Sequence, residues 1–506
     1  MSAGAPTPAP VRRVVIAGGG TAGWMMAAGL SKSLGPLLDI QLIESDEIGT
    51  VGVGEATIPS LQTFHRLLGI DERAFMAATQ ATFKLGIRFE NWRDQGQDYV
   101  HGFGLTGKDH WTAGFQHFWL KGRQRQMAAD YGAYALEVQA AQHGRFAHLP
   151  DDGLQYAYHL DATAYARFLR SFSEAPGVQR IEGKIVGVQT DATASQVRSL
   201  HLDSGAVIEG DLFIDCTGFR GLLIGEALNV DYEDWSHWLF NDSALAVQTA
   251  SVGDAVPYTR SIAHPWGWQW RIPLQHRVGN GTVYSSRFVD EAQARQTLLA
   301  GVEGEMLTQP RAIKFRPGQR RQVWRGNCIA VGLSSGFLEP LESTSIYLIQ
   351  RAIIRLVQMF PAGGISVADI DEFNAQTRFD IEHVRDFIVL HYHVTNRHDS
   401  PYWQACRGLA LPASLQHRID LFRETGRVFR VAGELFAENS WIQVMLGQGL
   451  VPGQHHPVAH LMGDAELARF LEGIRTSVEQ TVSKLPPHQA YVEQYCGSGP
   501  RRARAP

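Results

Sequence analysis

Apolar and polar positions along the chain change rhythm twice. Near the start, Val14-Val15-Ile16-Ala17 is an unbroken apolar run of strand length, and the residues from Trp24 to Leu30 are apolar with helical character. Ile40-Gln41-Leu42-Ile43 reads as a second strand ending at Glu44. Strand-like pieces at 178–188 and 197–202 alternate with helical stretches such as 161–173, and residues 243–288, rich in Val, Thr, Tyr and Trp, predict a β-rich segment. From Leu341 onward, apolar residues spaced by three and four predict helices over 346–359, 369–389 and 415–436. No repeat or low-complexity linker interrupts residues 11–490. The pattern implies an α/β fold with a Rossmann-like core, an inserted β-sheet and a mainly helical C-terminal layer. The expected divisions are a flexible leader at 1–10, the core with its insertion at 11–345, a helical region at 346–490 and a flexible tail at 491–506.

Composition narrows the class. Of 506 residues, 44% are hydrophobic and 19% charged, which supplies apolar surface for a large core and excludes a disordered chain. The net charge of -5, without any long Lys/Arg block, argues against a nucleic-acid partner. Cys216, Cys328, Cys406 and Cys496 are too dispersed for a CxxC metal site and too few for a disulfide framework, so a reducing cytoplasm is expected. MSAGAPTPAPVRR has no signal-peptide core, and no apolar run approaches the roughly 20 residues that span a bilayer, so no membrane association is expected.

The first chemical signal is Gly18-Gly19-Gly20-Thr21-Ala22-Gly23, a GxGxxG lying between a strand and a helix. Glycines there permit a tight turn and close approach of backbone amides to a pyrophosphate, and an acidic residue after the second strand, here Glu44, accepts from a ribose hydroxyl. Apolar strands that run into glycine at 211–218 and 325–332 favour FAD over NAD, because flavoprotein monooxygenases return to their cofactor from distant strands. No second GxGxxG supplies a place for a nicotinamide. Three further signals each have a plain alternative. Trp266, Trp268 and Trp270 alternate along one strand face, which also suits a core aromatic ladder. Lys84 sits in an apolar run, either snorkelling or buried with a reactive amine. Glu342, Ser343, Thr344 and Ser345 open a helix, where free amides suit either a small anion or a simple cap. His391, His393 and His398 fall in a helical region without Cys or carboxylate spacing, so they read as structural and no metal is expected.

GGGTAGW, the loop Gly52-Val-Gly-Glu55-Ala56-Thr-Ile-Pro59, Lys84, Trp268-x-Trp270-x-Ile272-Pro273 and Phe337-x-x-Pro340-x-x-Ser343 together resemble the flavin-dependent tryptophan-type halogenases over residues 11–480. The resemblance implies FADH2- and O2-dependent chlorination or bromination of an electron-rich aromatic, through hypohalous acid delivered to Lys84. It places FAD against Gly18 to Gly23, Glu44, Ser45, Ile48, Val51, Glu55, Ala56, Ile185, Leu333 and Ile346. It places halide at the amides of Thr344 and Ser345, and a tunnel wall at Trp268, Trp270, Ile272 and Pro273. Lys84 and Glu342 become the catalytic pair, with His101, Phe103 and Phe436 toward the substrate. A separate NAD(P)H-dependent flavin reductase is the implied partner, and the enzyme is a monomer or homodimer.

Two departures from the family stand out. The stretch 422–436 lacks the tyrosine pair and the Phe-Trp with which free-tryptophan enzymes grip the amino-acid end, so indole or an indole derivative is expected instead. Ser345 stands where the family has glycine, leaving chloride against bromide open, with bromide the easier ion to oxidise. The competing readings are an FAD-dependent aromatic hydroxylase and a catalytically inactive FAD-binding protein.

Overall fold

The first apolar run lies at the middle of a six-stranded sheet. In a computed structural model that describes residues 10–47, 54–110 and 112–497, Arg13–Ala17 pairs in parallel with Leu212–Asp215 on one side and Asp39–Glu44 on the other. The sheet extends to Cys328–Ala330 and the antiparallel edge Trp324–Arg325 in one direction, and to Gln179–Glu182 in the other. Val14, Val15 and Ile16 are wholly buried, as expected for a parallel strand covered on both faces. The apolar run at 325–332, read as one strand, turns at Gly326-Asn327 to give two short ones.

Helix Thr21–Leu34 follows the first strand directly and packs against Ala162–Glu174 and Ser345–Gln358. The β-rich segment becomes a seven-stranded sheet, in which Gly267–Pro273 lies between Thr259–His264 and Arg277–Tyr284. A small sheet packs on the seven-stranded one: Ala157–Asp161 pairs with Gly54–Ala56 on one edge and with Thr82–Lys84 on the other. That small sheet carries Glu55 and Ala56 to the nucleotide side and ends at Lys84.

The helical layer comprises Val367–His393, Ala413–Thr425, Glu438–Gly447 and Asp464–Lys484, after Ser345–Gln358. Val367–His393 begins at Ser366, whose hydroxyl accepts from the Asp369 amide at 3.1 Å, and it runs four residues past the expected end. The helix expected over 415–436 stops instead at Thr425, because Gly426 takes a left-handed φ of 69° and closes it. Residues 427–437 are therefore a loop, and that loop carries Phe436. Helix His488–Cys496 occupies the start of the stretch expected to be a loose tail.

Candidate active site

The glycine-rich turn forms one end of a cavity of about 690 Å3. Gly18 has φ 108°, its amide donates to the Ile43 carbonyl at 2.8 Å, and a Cβ there would lie 2.4 Å from the Cys216 carbonyl oxygen. Only glycine fits that turn. Gly23 does not face the cavity; a Cβ on it would meet the Gly18 carbonyl oxygen at 1.9 Å, so it serves the close packing of helix on turn. Gly18 to Ala22, Glu44, Ser45, Glu55, Ala56, Ile185, Leu333 and Ile346 all line the cavity. Ile48 and Val51 lie outside the described residues. Glu44 is already engaged, since Oε2 accepts from Trp24 Nε1 at 3.1 Å and Oε1 from the Arg180 and Arg170 guanidinium groups. Burial pushes the Glu55 carboxyl up to about 7. A long, mostly apolar cleft with a backbone cradle at a helix N-terminus suits a dinucleotide cofactor such as FAD.

Trp268, Trp270 and Ile272 line the far part of the same cavity, with the two indole centroids 6.1 Å apart. Trp266 does not join them: it precedes the strand, stacks on His264 at 5.3 Å and packs with Tyr284 in a separate cluster. Trp268 is held in place by Glu339, whose Oε2 accepts from its Nε1 at 2.8 Å and also from the Tyr392 hydroxyl at 2.6 Å and Asn241 Nδ2 at 2.9 Å. Pro273 is buried but outside the cavity, and its carbonyl accepts from the Thr82 hydroxyl at 2.8 Å, two residues before Lys84. The tryptophan wall and the lysine strand are thus hydrogen-bonded to each other.

Lys84 does not snorkel. It is 0% exposed, and its Nζ donates to the Thr57 carbonyl at 2.9 Å and to Ser343 Oγ at 2.8 Å. Desolvation brings its amine down to about 7, against the opposing pull of Glu342's negative charge. Ser343 lines the cavity, so the amine reaches the flavin side of the wall through one hydroxyl. The same serine holds a left-handed φ of 60°, a conformation that a non-glycine residue keeps only where its surroundings impose it.

Glu342, equally buried, approaches His101 Nδ1 at 3.0 Å and His391 Nε2 at 2.8 Å. Burial pushes its carboxyl up, but the two imidazoles outweigh burial and bring it down to about 2. Of the amides expected to be free at the helix start, that of Ser343 closes a turn on the Pro340 carbonyl at 3.1 Å. Those of Thr344 and Ser345, both lining the cavity, meet no acceptor among the described residues. They remain available to a small anion.

On the other side of Lys84, its ammonium position lies 5.2 Å from the Phe103 ring centroid. Phe436 stacks on Phe387 at 3.8 Å and lies 6.4 Å from His101. In the segment around Phe436, Glu434 is already engaged: it accepts from Arg418 at 3.1 Å through Oε2 and from the Val431 amide at 3.1 Å through Oε1. Sequence reasoning missed His391 and Glu339 as parts of the site, and it read Ser343 for its amide rather than for the hydroxyl that meets Lys84. His391 read as a structural helix residue; only its place near the C-terminal end of a 27-residue helix brings it to Glu342, and no spacing in the chain signals that. Among the described residues no cluster of side chains suits a metal, and no helix is long and apolar enough to cross a membrane.

Residues 13–464 match the family model for tryptophan halogenase. A flavin-dependent halogenase from Xanthomonas campestris is 64% identical, with a TM-score of 0.95 over 96% of this chain and 99% of that one. Another, from a Brevundimonas species, is 45% identical with a TM-score of 0.92 over 96% of this chain and 99% of that one. The tryptophan 7-halogenase of Lentzea aerocolonigenes is 35% identical over 96% of this chain and 99% of its own length. With a nucleotide cradle and a tryptophan wall on one cavity and a buried lysine bonded to Ser343 on its lining, the chain belongs to the tryptophan halogenase family and is a flavin-dependent halogenase.

Proposed function

We propose that this halogenase modifies an indole lacking the charged arm of free tryptophan, with Lys84 delivering the halogen and Glu342 removing the ring proton. The observation that carries the reading is the burial of Lys84 beside Ser343, on the lining of the cavity that begins at the glycine-rich turn. Bound at that turn, reduced FAD with O2 supplies the two-electron oxidation of halide to hypohalous acid. The chain's own residues do the rest. The Thr344 and Ser345 amides hold the anion. Trp268 and Trp270 keep the organic ring away from the flavin, which blocks direct hydroxylation. Lys84, brought down to about 7, is divided between ammonium and amine at pH 7, and the amine presents a lone pair that takes or holds the halogen. Glu342 stays ionised and accepts the proton from the cationic ring, and the position beside Lys84 decides which carbon reacts.

The choice of indole rests on Glu434. A free amino acid brings an ammonium that needs a carboxylate, and this one is committed to Arg418 and Val431. Bromide is the favoured halide because it is the easier one to oxidise. A separate NAD(P)H-dependent reductase supplies reduced flavin, and four free cysteines suit a reducing cytoplasm. The test is turnover with a flavin reductase, NADH, FAD and either indole or L-tryptophan, with bromide and chloride in competition and products read by mass. Brominated indole exceeding halogenated tryptophan is the expected result. Hydroxylated product would favour a monooxygenase, and preferential halogenation of tryptophan would overturn the substrate assignment.

A further inference from the structure

Lys84 and Glu342 are both buried and opposite in charge, yet no ion pair joins them among the described residues. The amine binds Thr57 and Ser343, and the carboxylate binds two histidines. Two such groups in one dry site would be expected to pair, since the attraction is strong where water is excluded. Another group compensates the charge of Glu342 first.

The two histidines differ in what their surroundings require. His101 faces Glu342 through Nδ1 at 3.0 and 3.1 Å, which a neutral ring protonated at Nδ1 satisfies. His391 is more constrained. Its Nδ1 lies 2.7 Å from the Phe387 carbonyl, which can only accept, so that nitrogen carries a proton. Its Nε2 lies 2.8 Å from Glu342 Oε1, a close contact with the geometry of an ion pair rather than of an aligned hydrogen bond. A bare nitrogen lone pair against a carboxylate oxygen at that distance is repulsive, and His391 is 0% exposed. A second proton therefore belongs to the pair. The ring is fixed by Phe89 and Phe387 at 4.9 and 5.1 Å and by Trp92 at 6.3 Å.

We infer that His391 is a positioning residue that supplies the charge compensating Glu342, so that Lys84 stays outside an ion pair and its amine is free to lose its proton and bind halogen. The inference rests on Lys84 being the delivering residue. The step it enables is the attack of a neutral amine on hypohalous acid. An N–X bond forms, the O–X bond breaks, and the released hydroxide takes the amine's proton to leave as water. An amine held as an ammonium by an uncompensated carboxylate has no lone pair for that attack.

Other charged or titratable groups bear on the same balance. His159 feels the Lys84 charge, Tyr99 the Glu342 charge and Glu339 the His391 charge. Thr57, Ser343 and Phe103 complete the contacts of the amine without charge. Of these groups, only His391 both touches Glu342 and has geometry that demands an added proton.

The experiment follows the titration of Lys84 directly, without flavin. The enzyme is treated with cyanate across pH 5–10, and carbamoylation of Lys84 is read by peptide mass spectrometry. His391→Gln keeps a donor toward Glu342 but removes the charge. It is expected to move the Lys84 midpoint upward by about one to three pH units, the usual effect of an uncompensated opposite charge at short range. Bromination at pH 7 should fall at least about fivefold and recover at higher pH. Glu342→Gln alone should move the midpoint down, and in the double variant the upward shift should vanish, since His391 acts through that carboxylate. An unchanged midpoint in His391→Gln, or a shift that persists in the double variant, overturns the inference. If His391→Gln does not fold, an unchanged midpoint in Glu342→Gln overturns it instead. Undiminished bromination by Lys84→Ala is a different failure, because it removes the delivering role while leaving the cyanate titration intact.

Discussion

The cofactor cradle and the cluster around Lys84 and Glu342 meet at Ser343 but are built from different materials. The cradle is made of backbone: glycine turns, a helix start and strand ends, with Gly18 and Gly23 present because a side chain would strike a carbonyl. The cluster is made of side chains drawn from strand Thr82–Lys84, strand Asp98–Gly102, the turn Pro340–Glu342 and helix Val367–His393. A cradle of amides recognises shape and tolerates many neighbours. A cluster of buried charges works only when each charge is balanced, so its function depends on single side chains.

Lys84→Ala breaks the comparison most severely. Bromination of indole should fall by about three orders of magnitude or more, while FAD affinity and reduced-flavin consumption stay within about twofold, because the cradle is untouched. Product yield and oxidant release measured together check this. Lys84→Met carries a second consequence, for stability. The folded amine at about 7 lies below its ordinary 10.5, so between those values the unfolded chain binds more protons and stability rises with pH; below about pH 7 the full penalty is present. Removing the amine should stabilise the fold by on the order of a few kcal/mol at pH 7, read as a higher Tm whose advantage shrinks toward pH 10. A Lys84→Met enzyme no more stable than its parent would show that the hydrogen bonds to Thr57 and Ser343 already offset the burial.

Glu342→Gln comes next. Loss of the proposed proton acceptor should cost about a hundredfold in kcat with little change in KM, as expected for a group acting on the cationic ring rather than on bound substrate.

These two positions also show how much could be read in advance. The cradle was legible because glycine constraints are local: strand, GxGxxG and helix follow one another within 25 residues, and the two apolar runs mark their own burial. Lys84 and Glu342 were legible only through resemblance, since each alone suits a surface lysine or a helix cap. The contact of His391 with Glu342 was silent in the sequence because its helix is long and the turn it meets lies 49 residues earlier in the chain. The grip of Glu339 on Trp268 was equally silent, for a buried carboxylate with three donors has no local signature. Trp266 was grouped with Trp268 and Trp270 because alternation assumes that the strand has already begun, and it begins at Gly267.

The wall between the two regions offers a smaller effect. Glu339→Leu removes the acceptor of Trp268, Tyr392 and Asn241 together, so the indole loses its fixed orientation. Brominated product per reduced flavin consumed should fall by about tenfold, with free oxidant appearing in solution. Glu339→Gln, which keeps an oxygen for the same three donors, should restore most of the coupling. A Leu variant as well coupled as the parent would mean that packing alone holds Trp268.

The mildest change is at the hydroxyl that links the two regions. Ser343→Ala deletes one of the two acceptors of the Lys84 amine and leaves the backbone with the same left-handed demand. An ammonium gains more from that acceptor than a neutral amine does, so its loss should lower the Lys84 midpoint further and move the acid limb of the bromination profile to lower pH. This is the opposite direction to the shift expected of His391→Gln. Near pH 7 the amine fraction is already substantial, so the rate should change only about two- to fivefold, chiefly through lost positioning of the amine. A profile that moves to higher pH instead would mean that Ser343 donates to the lysine rather than accepts from it, and that Lys84 rests as a neutral amine.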